Sequence, residues 1–365
     1  MRTILVIDDD PLARLHLERF LKREGHAILL ATNGQEGVTL FRSKAPDLIL
    51  MDVMMPIMNG YEATRQIRAE SSGDAMPPVI FLTGVEDQEQ LAECLRCGGD
   101  DFISKPINHI ILQARLNAWL RRVELAEKIA RDREAIENVI LKMRKDDRFD
   151  TQSLRFLMTP VDKTTGDLVL SARDESGIHY LMLGDFTGHG LAAAVCGPLV
   201  SDVFYNMIQH RSSSLDILNK INEKIHDRLP VDMFLTACFL ALDRQAKRMI
   251  VYNAGMHPLL LYRNNTWISG PESAQMPLGI IKDISYKDAV SYLDVQENDL
   301  IYLYSDGVYE TQSPDGAFFG VENLCNALPE IAHMAKPLDA IHESLTQFRG
   351  DAFQRDDITL VELKV

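Results

Sequence analysis

The 365-residue chain carries 38 Lys+Arg against 53 Asp+Glu, a net charge of −15, with 46% apolar and 25% charged residues. That length accommodates two domains with separate cores, and the composition is that of an ordinary globular protein. Residues 151–365 hold 17 basic against 28 acidic side chains, a net of −11, so a DNA-binding output domain with a basic stripe is disfavoured.

No apolar run approaches the roughly 20 residues that span a bilayer. The opening MRTILVIDDD places acids where a signal peptide needs a continuing apolar stretch, so the expectation is a cytoplasmic protein with no membrane contact. Of five cysteines only Cys94 and Cys97 are close, at one-helical-turn spacing; without a second ligand pair they read as ordinary buried thiols.

Five aliphatic runs predict buried parallel strands: ILVI (4–7), AILLA (27–31), LILM (48–51), PVIFLT (78–83) and DFISKP (101–106). Amphipathic segments Pro11–Glu24, Gly34–Ser43, Gly60–Glu70 and Gln88–Cys97 fall between them. The alternation predicts an α/β doubly wound five-stranded parallel sheet, with its chemistry at the C-terminal strand ends.

From about Asn108 to Asp147 the pattern is helical, without Gly or Pro. Arg122, Leu125, Ile129, Asp132, Ile136, Val139 and Met143 recur at alternating three and four, which fits an imperfect coiled-coil seam. An amphipathic helix packed on its own domain fits as well. Beyond Asp150, DLVLSAR, HYLMLGDF, FLTACFLALD, MIVYNAG, LLLYR, LIYLYSD and DITLVEL read as strands, with helices near 191–211, 213–227 and 321–347. This predicts antiparallel sheets with helices outside, an α+β layered β-sandwich. The expected boundaries are 1–121, a helical linker over 122–149, and 150–365.

In the first domain Asp8, Asp9 and Asp10 end the first strand, Asp52 the third, Thr83 the fourth and Lys105 the fifth. A parallel sheet brings these ends into one crevice, and crowded carboxylates there favour a hard divalent cation. A cation and a lysine beside a carboxylate suit phosphoryl transfer to that carboxylate. A lone Asp at a strand end is more often a helix cap; four strand ends with matched chemistry are not.

With ILVIDDD, LILMDVMMPIMNG, FLTG and DDFISKP, the segment resembles flavodoxin-like response-regulator receiver domains, and no residue of the pattern is missing. The resemblance implies Mg²⁺ on Asp8, Asp9, Asp52 and the Met54 carbonyl. It also implies Asp52 as acceptor of phosphate from a histidine kinase or phosphotransfer protein, Thr83 and Lys105 on the phosphoryl oxygens, and Phe102 as the aromatic that reorients.

In the second domain GDFTGHG (184–190), YSDGVYE (304–310) and RDDITLVEL (355–363) each set an Asp against an apolar strand. Asp-Gly pairs are common turns, so one such motif means little. Three from separate strands suit oxygen-bound Mg²⁺ or Mn²⁺, and two such ions about 3.5–4 Å apart can activate a water and clamp a phosphoryl group. Bound cations would also reconcile an acidic domain with a phosphate substrate.

Together with TTGDLV (164–169), FLTACFLALD (234–243), NAGMHPLLL (253–261) and MPLGI (276–280), residues 150–365 resemble type-2C (PPM) serine/threonine phosphatases of the bacterial sporulation branch. That resemblance implies two Mn²⁺ or Mg²⁺ ions. Asp185 would bridge them, the Phe186 carbonyl would assist, Asp306 and Asp356 would complete the second metal's shell, and Asp167 would bind through a water. Asp357 stands open as an alternative to Asp356. The family often has His after NAG where this chain has Met256 and then His257, and His189 in TGHG is a candidate proton donor. The implied function is a receiver-controlled phosphatase acting on an anti-sigma-factor antagonist, with a homodimer possible through the linker helix. The alternative is a non-catalytic adaptor for a sigma factor or anti-sigma component, and intact metal acids argue against it.

Overall fold

The computed structural model describes the chain apart from residues 71–75, 85–87, 189, 274, 283–289 and 332–333, and apart from the side chains of 88–91 and 328–330. It divides into two compact units, Met1–Glu134 and Ala135–Val365.

The first unit alternates β1 (Thr3–Ile7), α1 (Pro11–Arg23), β2 (Ala27–Ala31), α2 (Gly34–Lys44), β3 (Leu48–Asp52), α3 (Gly60–Glu70), β4 (Val79–Thr83), α4 (Gln88–Arg96) and β5 (Asp101–Ser104). The strands pair in parallel in the order β2-β1-β3-β4-β5, the doubly wound sheet that the aliphatic runs predict. Both faces are covered. Leu5, Ile49, Met51 and Phe81 face one core; Ile4, Val6, Leu50 and Leu82 face the other. A residue alternation along strands that are apolar throughout is why β3 and β4 are buried end to end.

Helix α5 (His109–Met143) runs through the division between the units. Its start is fixed by Leu112, Leu116 and Leu120, spaced one turn apart in the second of those cores. Leu125, Ile129, Ile136, Val139 and Met143 of the heptad stripe are all exposed, Ile129 by 68%.

The second unit stacks four layers. One sheet has the order β13-β10-β9-β8-β7 and the other β12-β11-β14-β15-β6. The strands are β6 (Leu154–Thr159), β7 (Asp167–Arg173), β8 (His179–Phe186), β9 (Leu235–Asp243), β10 (Arg248–Ala254), β11 (Leu260–Arg263), β12 (Thr266–Ser269), β13 (Val290–Asp294), β14 (Leu300–Tyr304) and β15 (Ile358–Lys364). All pairings are antiparallel. Leu181, Leu183, Leu240 and Val251 of one sheet meet Leu261, Ile301, Leu303 and Val361 of the other in the central core. Outer layers are α6 (Leu191–Ala194), α7 (Gly197–Gln209) and α8 (Ser214–Arg228) on one side. On the other are α9 (Asp306–Tyr309), α10 (Gly320–Ile331) and α11 (Pro337–Arg349).

Two predicted helices are each two. The 191–211 span breaks before Gly197-Pro198, and the 321–347 span restarts at Pro337, each proline standing in a first turn, where its missing N–H costs no helix bond. The Leu191–Gln209 stretch is also long and apolar enough to cross a membrane, contrary to the count made on sequence. Here that break interrupts it, and Val200, Phe204 and Ile208 lie in the core against α8 and the first sheet.

Candidate functional site

In the first unit the loops leaving the strand ends assemble an acidic crevice. Asp8 follows β1 and is fully buried, Asp52 ends β3, and exposed Asp9 completes a trio whose ligand oxygens all lie within 4.8 Å of one another. Lys105 Nζ bridges Asp8 Oδ2 at 2.9 Å and Asp52 Oδ2 at 3.0 Å. Thr83 is buried at the end of β4, beside Lys105, whose backbone N–H donates to the Thr83 carbonyl. Asp10 caps α1 by accepting from Leu12 N at 2.9 Å, so it takes no part in the trio.

Burial raises the Asp52 pKa; the Lys105 hydrogen bond opposes the shift and Asp8 adds to it. One lysine thus faces three carboxylates, and a hard divalent cation fits the remaining negative charge. Met54 is exposed on the loop after β3. Phe102 is half-buried on β5, packed against the edge of the core.

In the second unit, Asp167 and Asp185 are direct cross-strand partners on β7 and β8, and Asp185 is in turn opposite Thr236 on β9. Asp306 opens α9 immediately after β14, and Asp356 precedes β15. Asp185, Asp306 and Asp356 line one cleft of about 260 Å³ with Phe186, Thr187, Gly188, Phe234 and Thr236. A larger hollow, about 710 Å³, opens at the opposite end of β14 around Leu300; Arg263 is held there by buried Asp299, and none of these acids contributes.

Thr187 and Thr236 shape the near wall. Thr236 Oγ1 donates to the Asp185 carbonyl at 3.2 Å, and Thr187 Oγ1 to the Asp232 carbonyl at 3.1 Å. Gly307 lets α9 approach: a methyl group there would overlap the main-chain carbonyl of Asp357. Neither threonine was singled out on sequence, although Thr236 sits in the FLTACFLALD motif.

The electrostatics are those of crowded, buried carboxylates. Asp167 is almost wholly buried, and neither of its carboxylate oxygens meets a protein donor in hydrogen-bond geometry. Burial drives the Asp167 pKa up, with the Asp357 and Asp306 charges adding to the shift. It drives Asp185 up as well, reinforced by repulsion from Asp167, Asp306 and Asp356. Asp306 is pushed up to about 6, first by burial and then by Asp356. A buried, unpaired carboxylate in a wall of others is costly unless something positive completes it. Oxygen donors without Cys or His suit Mg²⁺ or Mn²⁺.

The structure separates Asp356 from Asp357. Both Asp357 oxygens accept backbone N–H groups, from Val161 and Gly166, each at 2.8 Å, so that carboxylate ties the 161–166 loop to β15. Asp356 faces the cleft. Asp356→Asn should therefore abolish turnover and leave folding intact. Asp357→Asn sets an amide donor against a backbone donor and should cost about 1–3 kcal/mol of stability. Urea melts alongside assays of both variants check this; reversed effects would exchange the two roles. Buried Met256 lies in the core between the sheets, while the His257 ring packs on Tyr309 at 4.1 Å between centroids, outside the acid set. His189 lies outside the described residues.

The model of the Stage II sporulation protein E (SpoIIE) family matches residues 176–365, more than half of the chain. The chain belongs to the SpoIIE family. Ahead of that domain, the response regulator receiver domain model matches residues 4–117. Over the receiver the chain is 40% identical in 124 residues to the transcriptional regulatory protein AfsQ1 of Streptomyces coelicolor, covering 34% of this chain and 53% of AfsQ1. It is 37% identical in 120 residues to protein PilH of Pseudomonas aeruginosa, covering 33% of this chain and 98% of PilH. The chain thus spans about half the length of AfsQ1 and nearly all of PilH. The SiaA-PP2C domain of Pseudomonas aeruginosa shares the fold at 19% identity and a TM-score of 0.55, over 66% of this chain and 98% of that domain. This SpoIIE-family chain therefore joins a receiver domain to a PPM-type serine/threonine phosphatase domain.

Proposed function

We propose that phosphorylation of Asp52 controls a Mn²⁺- or Mg²⁺-dependent phosphoserine/phosphothreonine phosphatase whose site is Asp185, Asp306 and Asp356. The observation that carries this reading is the buried, unpartnered Asp167 carboxylate in register with Asp185, beside two further acids in one cleft. Asp185 would bridge the ions, the Phe186 carbonyl would assist, and Asp167 would act through a water. When bound, the ions supply Lewis-acid charge and an activated water for attack on the phosphoester.

The chain's own contribution is to hold acids on or beside four strands at fixed spacing and to present the ester to them. Thr236 and Thr187 fix the strand ends, and Asp357 fixes the loop that leads into β7 and Asp167. In the receiver, Asp8, Asp9, Asp52 and the Met54 carbonyl would hold Mg²⁺, with Thr83 and Lys105 on the phosphoryl oxygens and Phe102 as the moving aromatic. The working boundaries are 1–121, 122–149 and 150–365, and the setting is cytoplasmic. A histidine kinase or phosphotransfer protein would supply the phosphoryl group. The exposed stripe from Leu125 to Met143 supports pairing of two chains along α5.

A phosphorylated protein, of the anti-sigma-factor antagonist kind, is the proposed substrate. Val231 (105% exposed) and Phe353 (93%) stand three residues before the cleft-lining Phe234 and Asp356. Each is thus within roughly 11 Å of the cleft along the chain. Apolar side chains on the rim suit a protein surface better than a small ester.

The test is Mn²⁺-dependent dephosphorylation of a phosphoserine antagonist by the full chain, with and without acetyl phosphate. Phe353→Ala should raise KM for the phosphoprotein about tenfold and leave aryl phosphate turnover within about twofold. Equal losses on both substrates would discard the rim's role, and absence of metal-dependent hydrolysis would discard the function.

A further inference from the structure

The C-terminal end of α5 carries a residue that the chemistry above does not use. Glu137 and Ile140 on its last turns are buried, and Arg144 follows on the same face at helical spacing. Arg144 N donates to the Ile140 carbonyl at 3.0 Å, so the residue continues the helix. Its Nη2 donates to the main-chain carbonyl of Asp167 at 2.6 Å. Its Nε is sealed from water and has no partner, and a Cβ on Gly197 would stand 3.1 Å from that atom.

The guanidinium therefore sits against the main chain of Asp167, the cross-strand partner of cleft-lining Asp185, between the end of α5 and the start of α7. Main-chain oxygen and carboxylate belong to one residue, so the cation lies within about 8 Å of the Asp167 carboxylate. Burial lowers the Arg144 pKa, while Asp167 and Asp357 raise it. A guanidinium stays protonated under such opposing pressures.

We propose that Arg144 sets the metal affinity of the phosphatase centre, as a fixed internal cation that shares the carboxylate charge with the metal. The inference rests on the metal reading above. Without metal, Arg144 is the counter-charge that offsets part of the repulsion among Asp167, Asp185 and Asp306. With metal, the same charge opposes the incoming ion across a medium of lower dielectric than water. Arg144 is thus a positioning and tuning residue, out of reach of substrate, and its removal should strengthen metal binding.

The experiment titrates Mn²⁺ into the full chain and counts the ions that Asp185→Asn loses, which sets aside any held by the receiver. Arg144→Gln removes the charge and keeps a donor for the Asp167 carbonyl. Arg144→Met removes both, and Arg144→Lys keeps the charge. The two neutral variants should bind those ions about tenfold tighter and melt lower in chelator, with a larger rise on adding Mn²⁺; Arg144→Lys should stay within about twofold of wild type.

A merely structural arginine would loosen the centre when replaced. Equal or weaker Mn²⁺ binding by both neutral variants, or the same tightening in Arg144→Lys, overturns the inference. If Asp185→Asn loses no Mn²⁺ relative to wild type, the metal reading falls first and this inference falls with it.

Discussion

Asp185→Asn should lower Mn²⁺-dependent hydrolysis by at least about a thousandfold, roughly 4 kcal/mol of transition-state stabilisation, while raising the stability of the metal-free chain. The two effects share one cause. Burial and three neighbouring acids all disfavour the ionised form of Asp185, the form a metal ligand needs. Asparagine keeps the shape and cannot ionise, so the chelated protein would be relieved of that penalty and, on the proposed reading, the metal would lose a central ligand.

The pH dependence has a definite sign. Asp306 is raised to about 6 in the folded chain, against roughly 3.9 unfolded, so the folded state binds the proton first as pH falls. In chelator, stability from this group is lost as pH rises through 6 and is fully present only below the unfolded value. Melting curves in chelator and in Mn²⁺, at pH 5 and 7.5 for wild type and Asp185→Asn, check both halves. A variant less stable than wild type in chelator would mean that Asp185 is structural.

The receiver was legible because a parallel sheet converts sequence position into spatial position. Once ILVI, LILM and PVIFLT are strands, Asp8, Asp52 and Thr83 have one place to go, and Lys105 follows from the fifth. In the second unit the acids that end strands could be read, but their neighbours could not. Asp356 and Asp357 are indistinguishable in RDDITLVEL because what separates them is the pair of amides at Val161 and Gly166, remote in sequence.

Strands β6, β12 and β13 escaped notice since each is an edge or near-edge segment with exposed positions, such as Arg155 and Phe156, and lacks a clean apolar run. The breaks at Pro198 and Pro337 were readable, because a helix restarts readily with proline in its first turn. Arg144 was not: nothing in MRKDDR marks which basic residue turns inward, and only the burial of Ile140 one turn earlier fixes the face.

Asp52→Asn should abolish phosphoryl incorporation from acetyl phosphate and should erase any difference in phosphatase rate between treated and untreated chains. Its carboxylate has one oxygen 3.0 Å from Lys105 Nζ and the other accepting from Val53 N at 2.8 Å. The proposed acceptor is therefore held in place beside the cation that would meet the incoming phosphoryl group, and an amide in the same position has no nucleophilic oxygen to offer. The added phosphoryl charge would act on Thr83 and Lys105 first.

To carry the second unit from 1:99 to 99:1, that local change must deliver about 5.5 kcal/mol of differential stabilisation. Any smaller coupling gives a graded response, so the ratio of treated to untreated rates measures the coupling directly. Basal Mn²⁺-dependent turnover by Asp52→Asn should match that of the untreated wild type, because Asp52 belongs to a different compact unit from the phosphatase acids. A treated-to-untreated ratio that survives the substitution would place the controlling event elsewhere than Asp52.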